Sequence, residues 1–305
     1  KNFQKQEEKI MMNFEEFKAW VKENITSKDW KETSQIEISV VKKNNGVSAT
    51  GLFIRESGQD VSPILYLDDY YIHYQNGELL ENVIRNIRAD YDKKVQMAAV
   101  KIPNLQEFEN ICGRVIYRLV NYEKNKEILE DCPHIRLYDL AVTFRWVARI
   151  DDVGVSTSLI TNKQVKEWGV SVNDLVLAAR QNTPRLFPAQ IIDMEEMLAR
   201  MVSFILYPST IPMYILTNKQ ELNGASALLY GDILKDFANK KGADMYILPS
   251  SIHEVIMVPA DRINDPTKLL SIVHDANTTV VSIGDVLSDS VYYYDRKKDQ
   301  ILVKA

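Results

Sequence analysis

YILPSSIHEVIMVPA, residues 246–260, sets two apolar, β-prone runs around a polar centre. Residues 245–248 and 254–258 favour strand, while Pro249, Ser250 and Ser251 favour a loop, so the stretch is expected to be strand, turn and returning strand. Two strands joined by so short a connection run antiparallel. The fold class therefore rests on how often this grammar recurs.

It recurs on both sides. Upstream, Ile36, Ile38 and Val40 alternate with Glu37 and Ser39, and Asn45 with Gly46 supplies the positive-φ pair of a hairpin turn before residues 47–55 return. Val142, Phe144, Trp146 and Ala148 alternate with Thr143, Arg145 and Arg149, and residues 155–161 are expected to pair with them. A further hairpin is expected over 213–230, with Asn223 and Gly224 at its bend, and the charged turn in SVYYYDRKKDQILVKA joins a last pair. Helical periodicity appears at 11–24, from Glu78 to Val95, at 105–111, 162–168, 172–181 and 232–241, and in NDPTKLLSIVHDAN. Pro184 is expected to stop the fifth of these and Gly242 to cap the sixth. Hairpins alternating with helices give an α+β protein with mainly antiparallel sheets.

At 305 residues, with 46% hydrophobic residues, the chain has length for two domains. The expected division is an extension over 1–11, an N-terminal α+β domain over 12–130 and a C-terminal one over 131–305. TNKQ occurs at 161–164 and again at 217–220, both after a strand pattern, but a four-residue word does not establish duplication. Net charge is −5, and the cations are scattered rather than gathered into a stripe, so nucleic acid is not an expected partner. Apolar runs such as FILY, 204–207, fall far short of the roughly 20 residues of a membrane helix, and the charged N-terminus does not read as a secretory signal. Cys112 and Cys132 follow no CxxC spacing and suit a reducing compartment, so a cytoplasmic location is expected.

The polar centre of the opening stretch is the strongest candidate for chemistry. Ser251 and His253 would project to the same side of a returning strand, and with Glu254 they could form a nucleophile, its base and an acid. No G-x-S-x-G elbow accompanies them, and serine hydroxyls commonly satisfy loop amides, so the bland reading is a turn. HEVIM begins like a zinc-binding H-E-x-x-H, yet Met257 stands where the second ligand belongs, and the four histidines have no metal-ligand spacing. Paired Asp68 and Asp69 could serve a cation or acid–base chemistry, but they open a helix, where acids complement the dipole. Ser250 and Asp289 complete the binding candidates. With 11 glycines and no phosphate-binding loop, no nucleotide cofactor is expected, and no metal.

YLDDYY, NYEKNKEILEDCPH with DLAV after it, LTNKQELNGASALLY, LPSSIHEVIMVP and LSDSVYYYD together resemble an uncharacterised bacterial domain-of-unknown-function family, DUF5688, over nearly the whole chain from Met12. Residues 224–259 also resemble a second such family, DUF1444. Neither resemblance implies an activity or supplies catalytic residues. The expectation is a non-catalytic cytoplasmic binding or regulatory protein whose partner is another protein, with neither nucleic acid nor membrane as ligand. Fifteen tyrosines lean the same way. The competing expectation is a hydrolase using Ser251, His253 and Glu254.

Overall fold

The computed structural model describes residues 11–25, 35–55, 63–98, 104–151, 154–201 and 211–304. They form two compact units, one drawn from residues 1–43 and 48–101, the other from 44–47 and 102–305. Both are α+β, with every strand pairing antiparallel.

In the first unit, helix α1 (Phe14–Ile25) precedes the hairpin of β1 (Gln35–Lys42) and β2 (Ser48–Arg55), and β3 (Ile64–Tyr66) adds to β2. Two helices, α2 (Leu67–Gln75) and α3 (Leu80–Ala98), complete it. Phe17, Val21 and Ile25 recur every four residues on α1, as do Val83, Ile87 and Tyr91 on α3, and these stripes close over Leu52 and Ile54 of β2 and Leu65 of β3. Burying each such side chain contributes about 1.5–3 kcal/mol. Tyr91 buries its ring but keeps its hydroxyl satisfied by donating to the Ile54 carbonyl at 3.2 Å.

The second unit holds two sheets. Strands β4 (Val115–Asn121), β5 (His134–Leu137), β6 (Leu140–Asp151) and β7 (Gly154–Leu159) form one, with β6 central, and α4 (Lys126–Glu130) lies between β4 and β5 in sequence. Helices α5 (Asn162–Trp168) and α6 (Val172–Leu186) follow, each opened by a capping box, Thr161 with Gln164 and Ser171 with Asp174. Then come β8 (Ala189–Asp193), α7 (Met194–Met201), β9 (Tyr214–Asn218), a 3-10 segment over Gly224–Leu229 and α8 (Ile233–Lys241). Finally β10 (Met245–Leu248), β11 (Val255–Pro259), α9 (Thr267–Thr279), β12 (Tyr292–Asp295) and β13 (Gln300–Val303) bring the second sheet to the order β13-β12-β10-β11-β9-β8. One core unites the two sheets: Tyr117, Leu119, Phe144 and Trp146 share it with Leu216, Met245, Ile247, Val255 and Met257. Leu269 and Val273 of α9 cover Tyr246, Leu248 and Val258.

Several sequence expectations are corrected. Residues 213–230 are not a hairpin: β9 pairs with β8 and β11, and the chain beyond Asn223 winds into the 3-10 segment. Helix α6 runs through Pro184, whose fixed φ is helical, and ends two residues later at Leu186. The compact units divide at 101/102 rather than 130/131, since β4 pairs with β6 over its whole length. Residues 105–111 contain only a 3-10 turn at Phe108–Asn110. The two TNKQ words differ in structure, the first capping α5 and the second leaving β9. The expected extension over 1–11 lies outside the described residues save for Met11.

The β1–β2 connection, residues 43–47, is longer than a two-residue turn, yet it uses the expected conformation: Asn45 has φ 58° and Gly46 φ 69°. The Asn45 side chain is bound at both ends, donating to the carbonyls of Ile283 (2.9 Å) and Val286 (2.6 Å) and accepting from Asn125 Nδ2 (2.8 Å). Gly46→Val is expected to cost about 1–3 kcal/mol through left-handed strain, and Gly46→Asn distinctly less, because asparagine tolerates that region. Chemical denaturation of both variants measures this. Equal losses would show that the left-handed turn is not what limits the position.

Candidate functional site

Residues 249–254 join β10 to β11, whose register sets Leu248 opposite Ile256. The loop is bound along its length by backbone hydrogen bonds. Its Pro249 and Ser250 carbonyls accept from Ser288 and Leu287 N–H, both at 2.9 Å, and Ile252 N–H donates to the Asp285 carbonyl at 2.8 Å. On the other side Ala225 N–H donates to the Ile252 carbonyl at 3.2 Å, and the Thr217 hydroxyl donates to the His253 carbonyl at 2.8 Å. A polar loop inside a protein needs such partners, and here they come from three separate parts of the chain.

The side chains of the loop are similarly engaged. Ser251 is 4% exposed, and its Oγ accepts from His253 N–H at 3.0 Å, a local serine turn. The imidazole is held between Asn223 N–H, which donates to Nδ1 at 3.3 Å, and the Asp285 carboxylate, 3.4 Å from Nε2. Because Nδ1 accepts, the neutral ring carries its proton on Nε2, the nitrogen that faces the Asp285 carboxylate. No hydrogen bond joins the Ser251 hydroxyl to the imidazole among the described residues. Glu254 is half-buried beside them. Ser250 is buried and contributes its carbonyl, while Asp289 accepts from Asn277 Nδ2 at 2.7 Å and lies 3.7 Å from Lys124 Nζ. Asp68 and Asp69 belong to the other unit, in the first turn of α2; Asp68 accepts from Thr50 N–H at 2.6 Å and Asp69 is exposed.

Two parts of this region escaped the sequence reading. Gly224 reads in sequence as a turn residue, but it does not have a positive φ; glycine is required there by proximity. A Cβ there would stand 2.1 Å from Thr217 Oγ1, 2.5 Å from the His253 carbonyl and 2.8 Å from Asn218 N. Asp139, at the β5–β6 turn, accepts from Ser288 Oγ and Tyr292 OH, both at 2.5 Å, and from Ser290 Oγ at 3.4 Å. Burial, then the Asp139 bond, holds the Tyr292 hydroxyl well above the ordinary tyrosine range. Alternating serines before a tyrosine were the available signal, but nothing in sequence pointed to an acid 149 residues away from Ser288.

No group of three or more His, Cys, Asp and Glu side chains is placed to hold a metal ion among the described residues. Cys112 and Cys132 are unpaired, and burial pushes the Cys132 thiol up to about 11. Residues 249–254 exchange hydrogen bonds with residues 217, 223–225 and 285–288.

A model of a family of unknown function, DUF5688, matches residues 14–296, and the chain belongs to that family. No curated protein and no solved structure matches it.

Gly224→Ala tests the close approach. Two of the three clashing atoms are backbone and cannot rotate away, so the variant is expected to lose more than about 3 kcal/mol, beyond the usual range for one added methyl group in a packed core. Ala at Gly77, where no atom lies within 4 Å, is strained only by its φ of 97° and serves as the comparison. Equilibrium denaturation giving similar losses at both positions would contradict the packing described.

Proposed function

We propose that this protein acts by binding, through contacts with another protein, in a regulatory rather than catalytic capacity. One observation carries the reading: the residues best suited to chemistry, Ser251 and His253, are committed to holding their own loop in place. A serine nucleophile needs its base within hydrogen-bond reach and its Oγ open to substrate. Ser251 instead accepts a backbone N–H and is almost wholly buried, and the imidazole is occupied on both nitrogens. The two unpaired cysteines support a reducing compartment, the bacterial cytoplasm. No helix among the described residues is long and apolar enough to cross a membrane.

A serine-directed fluorophosphonate applied to the folded protein is expected to leave Ser251 unlabelled, and a tagged full-length chain to retain a stoichiometric protein partner. The Ser251→Ala/His253→Ala double variant is expected to lose about 1–3 kcal/mol of stability, as for two hydrogen-bonding side chains removed from a closed loop. Specific labelling that the Ser251→Ala variant abolishes, with stability unchanged in the double variant, would establish the hydrolase reading instead.

A further inference from the structure

Strand β8 stands at one end of the six-stranded sheet and pairs only with β9. Met194 N–H donates to the Met213 carbonyl and Lys219 N–H to the Pro188 carbonyl, and these two bonds fix the alternation of the ladder between them. Gln190 and Ile192 therefore bond to β9, while the N–H and C=O of Ile191 and the N–H groups of Ala189 and Asp193 point away from it. None of these outward groups has a partner among the described residues. The outer edge of β4 is treated differently: its Tyr117 and Leu119 N–H groups donate to Thr183 Oγ1 and Ser226 Oγ, both at 3.2 Å. Open edges are commonly blunted by lysine, proline or a bulge, and AQIID, residues 189–193, has none of these.

Beside this edge lies an open groove of about 450 Å³ between β8 and α8. Ile191, Tyr214 and Phe237 give it apolar lining, and Asp193, Glu196 and Asp236 give it carboxylates. Two lysines also border it, but Lys241 is committed to Tyr214, its Nζ donating to the hydroxyl at 2.8 Å and lying 4.1 Å from the ring centre. That leaves Lys240 against three acids, so the groove is net negative. Side chains alternate along a strand, and Ile191 and Asp193 both project to the groove. The residues whose backbone groups are unpaired are thus the same residues whose side chains face the groove.

We propose that β8 accepts an added strand: an extended, basic segment of a partner protein pairs with the open edge and sets alternate side chains into the groove. The proposal rests on the protein-binding reading and names the contact behind it. A segment in register with Ala189, Ile191 and Asp193 satisfies their outward groups and points the side chains of its bonded residues to the groove. An apolar residue then meets Ile191, and a Lys or Arg two positions away meets Asp193, in a groove that Glu196 and Asp236 also line. The main-chain bonds supply affinity and the charge supplies selectivity. Pairing of β8 with β8 of a second copy would bring like carboxylates to the junction, which disfavours that occupant.

The test selects a phage-displayed library of random peptides on the full chain and measures the enriched sequences, as labelled synthetic peptides, by fluorescence anisotropy. Saturable binding is expected from sequences with Lys or Arg two positions from an apolar residue. N-methylation of alternate amides is expected to weaken binding in one of the two possible registers and spare it in the other, the signature of a strand bonded along one edge. Ile191→Pro removes an outward N–H without breaking the ladder to β9, and Asp236→Lys reverses an exposed charge of the groove; each is expected to weaken binding about tenfold or more. Circular dichroism verifies both folds, and Asp261→Lys, which does not line the groove, is expected to bind as the parent does. Absence of enriched sequences, or equal affinity in the parent, Ile191→Pro and Asp236→Lys, overturns the proposal. Dimerisation of the chain that Ile191→Pro abolishes also overturns it, by giving the edge to a second copy. If a tagged chain retains a protein partner while the library yields nothing, this site falls and the protein-binding reading stands; if neither is found, both fall.

Discussion

At Gly224 the backbone passes so near Thr217, Asn218 and His253 that a single additional carbon has no place. Much of the second unit is organised around that approach. It lets Ala225 N–H reach the Ile252 carbonyl, and it leaves Asn223, with φ 53°, aiming its own N–H at the His253 ring. The ring in turn faces Asp285, whose carbonyl takes the Ile252 N–H. The end of β9, the 3-10 segment, the β10–β11 loop and the chain before β12 thus meet through a few short bonds. An unpaired buried donor or acceptor costs about 1–3 kcal/mol, so the parts of this junction hold one another to one geometry.

Around it the core is built from strand alternation. Met245 and Ile247 point to the side shared with Leu119 and Phe144, and Tyr246 and Leu248 to the side covered by α9. Both faces of β10 are therefore buried, which explains why the run has no polar alternation and why its loop must find hydrogen-bond partners within the protein. The tyrosines follow the same economy. Tyr91, Tyr230 and Tyr292 bury their rings and spend their hydroxyls on Ile54, Phe187 and Asp139, so an abundance of tyrosine reflects the interior as much as any contact surface.

Strands and helices with a clear local signal were legible in the sequence: the 36–54 hairpin by its alternation, the α1 and α3 stripes by their four-residue spacing, and the strand–loop–strand at 245–258 by its apolar runs around a polar turn. Long-range facts were not. Nothing local indicates that 115–121 pairs with 140–146, and so the division between units was misplaced. Asn223 with Gly224 resembles a hairpin bend because a glycine needed for φ and a glycine needed for space look alike in one sequence. Of the site candidates, Ser250, Ser251 and His253 do share one loop, but their meaning depends on Asn223 and Asp285, both distant in sequence.

The central claim is that residues 249–254 belong to the closed interior of the fold rather than to a mobile, reactive loop. Native-state hydrogen exchange at the amides of Asn223, Ala225, Ile252 and His253 addresses it directly, since each donates one of the bonds that hold the loop. These amides are expected to exchange only with global unfolding, at the free energy shown by the amides of β10 and β11. Exchange through a local opening, several kcal/mol below that of the strands, would contradict it.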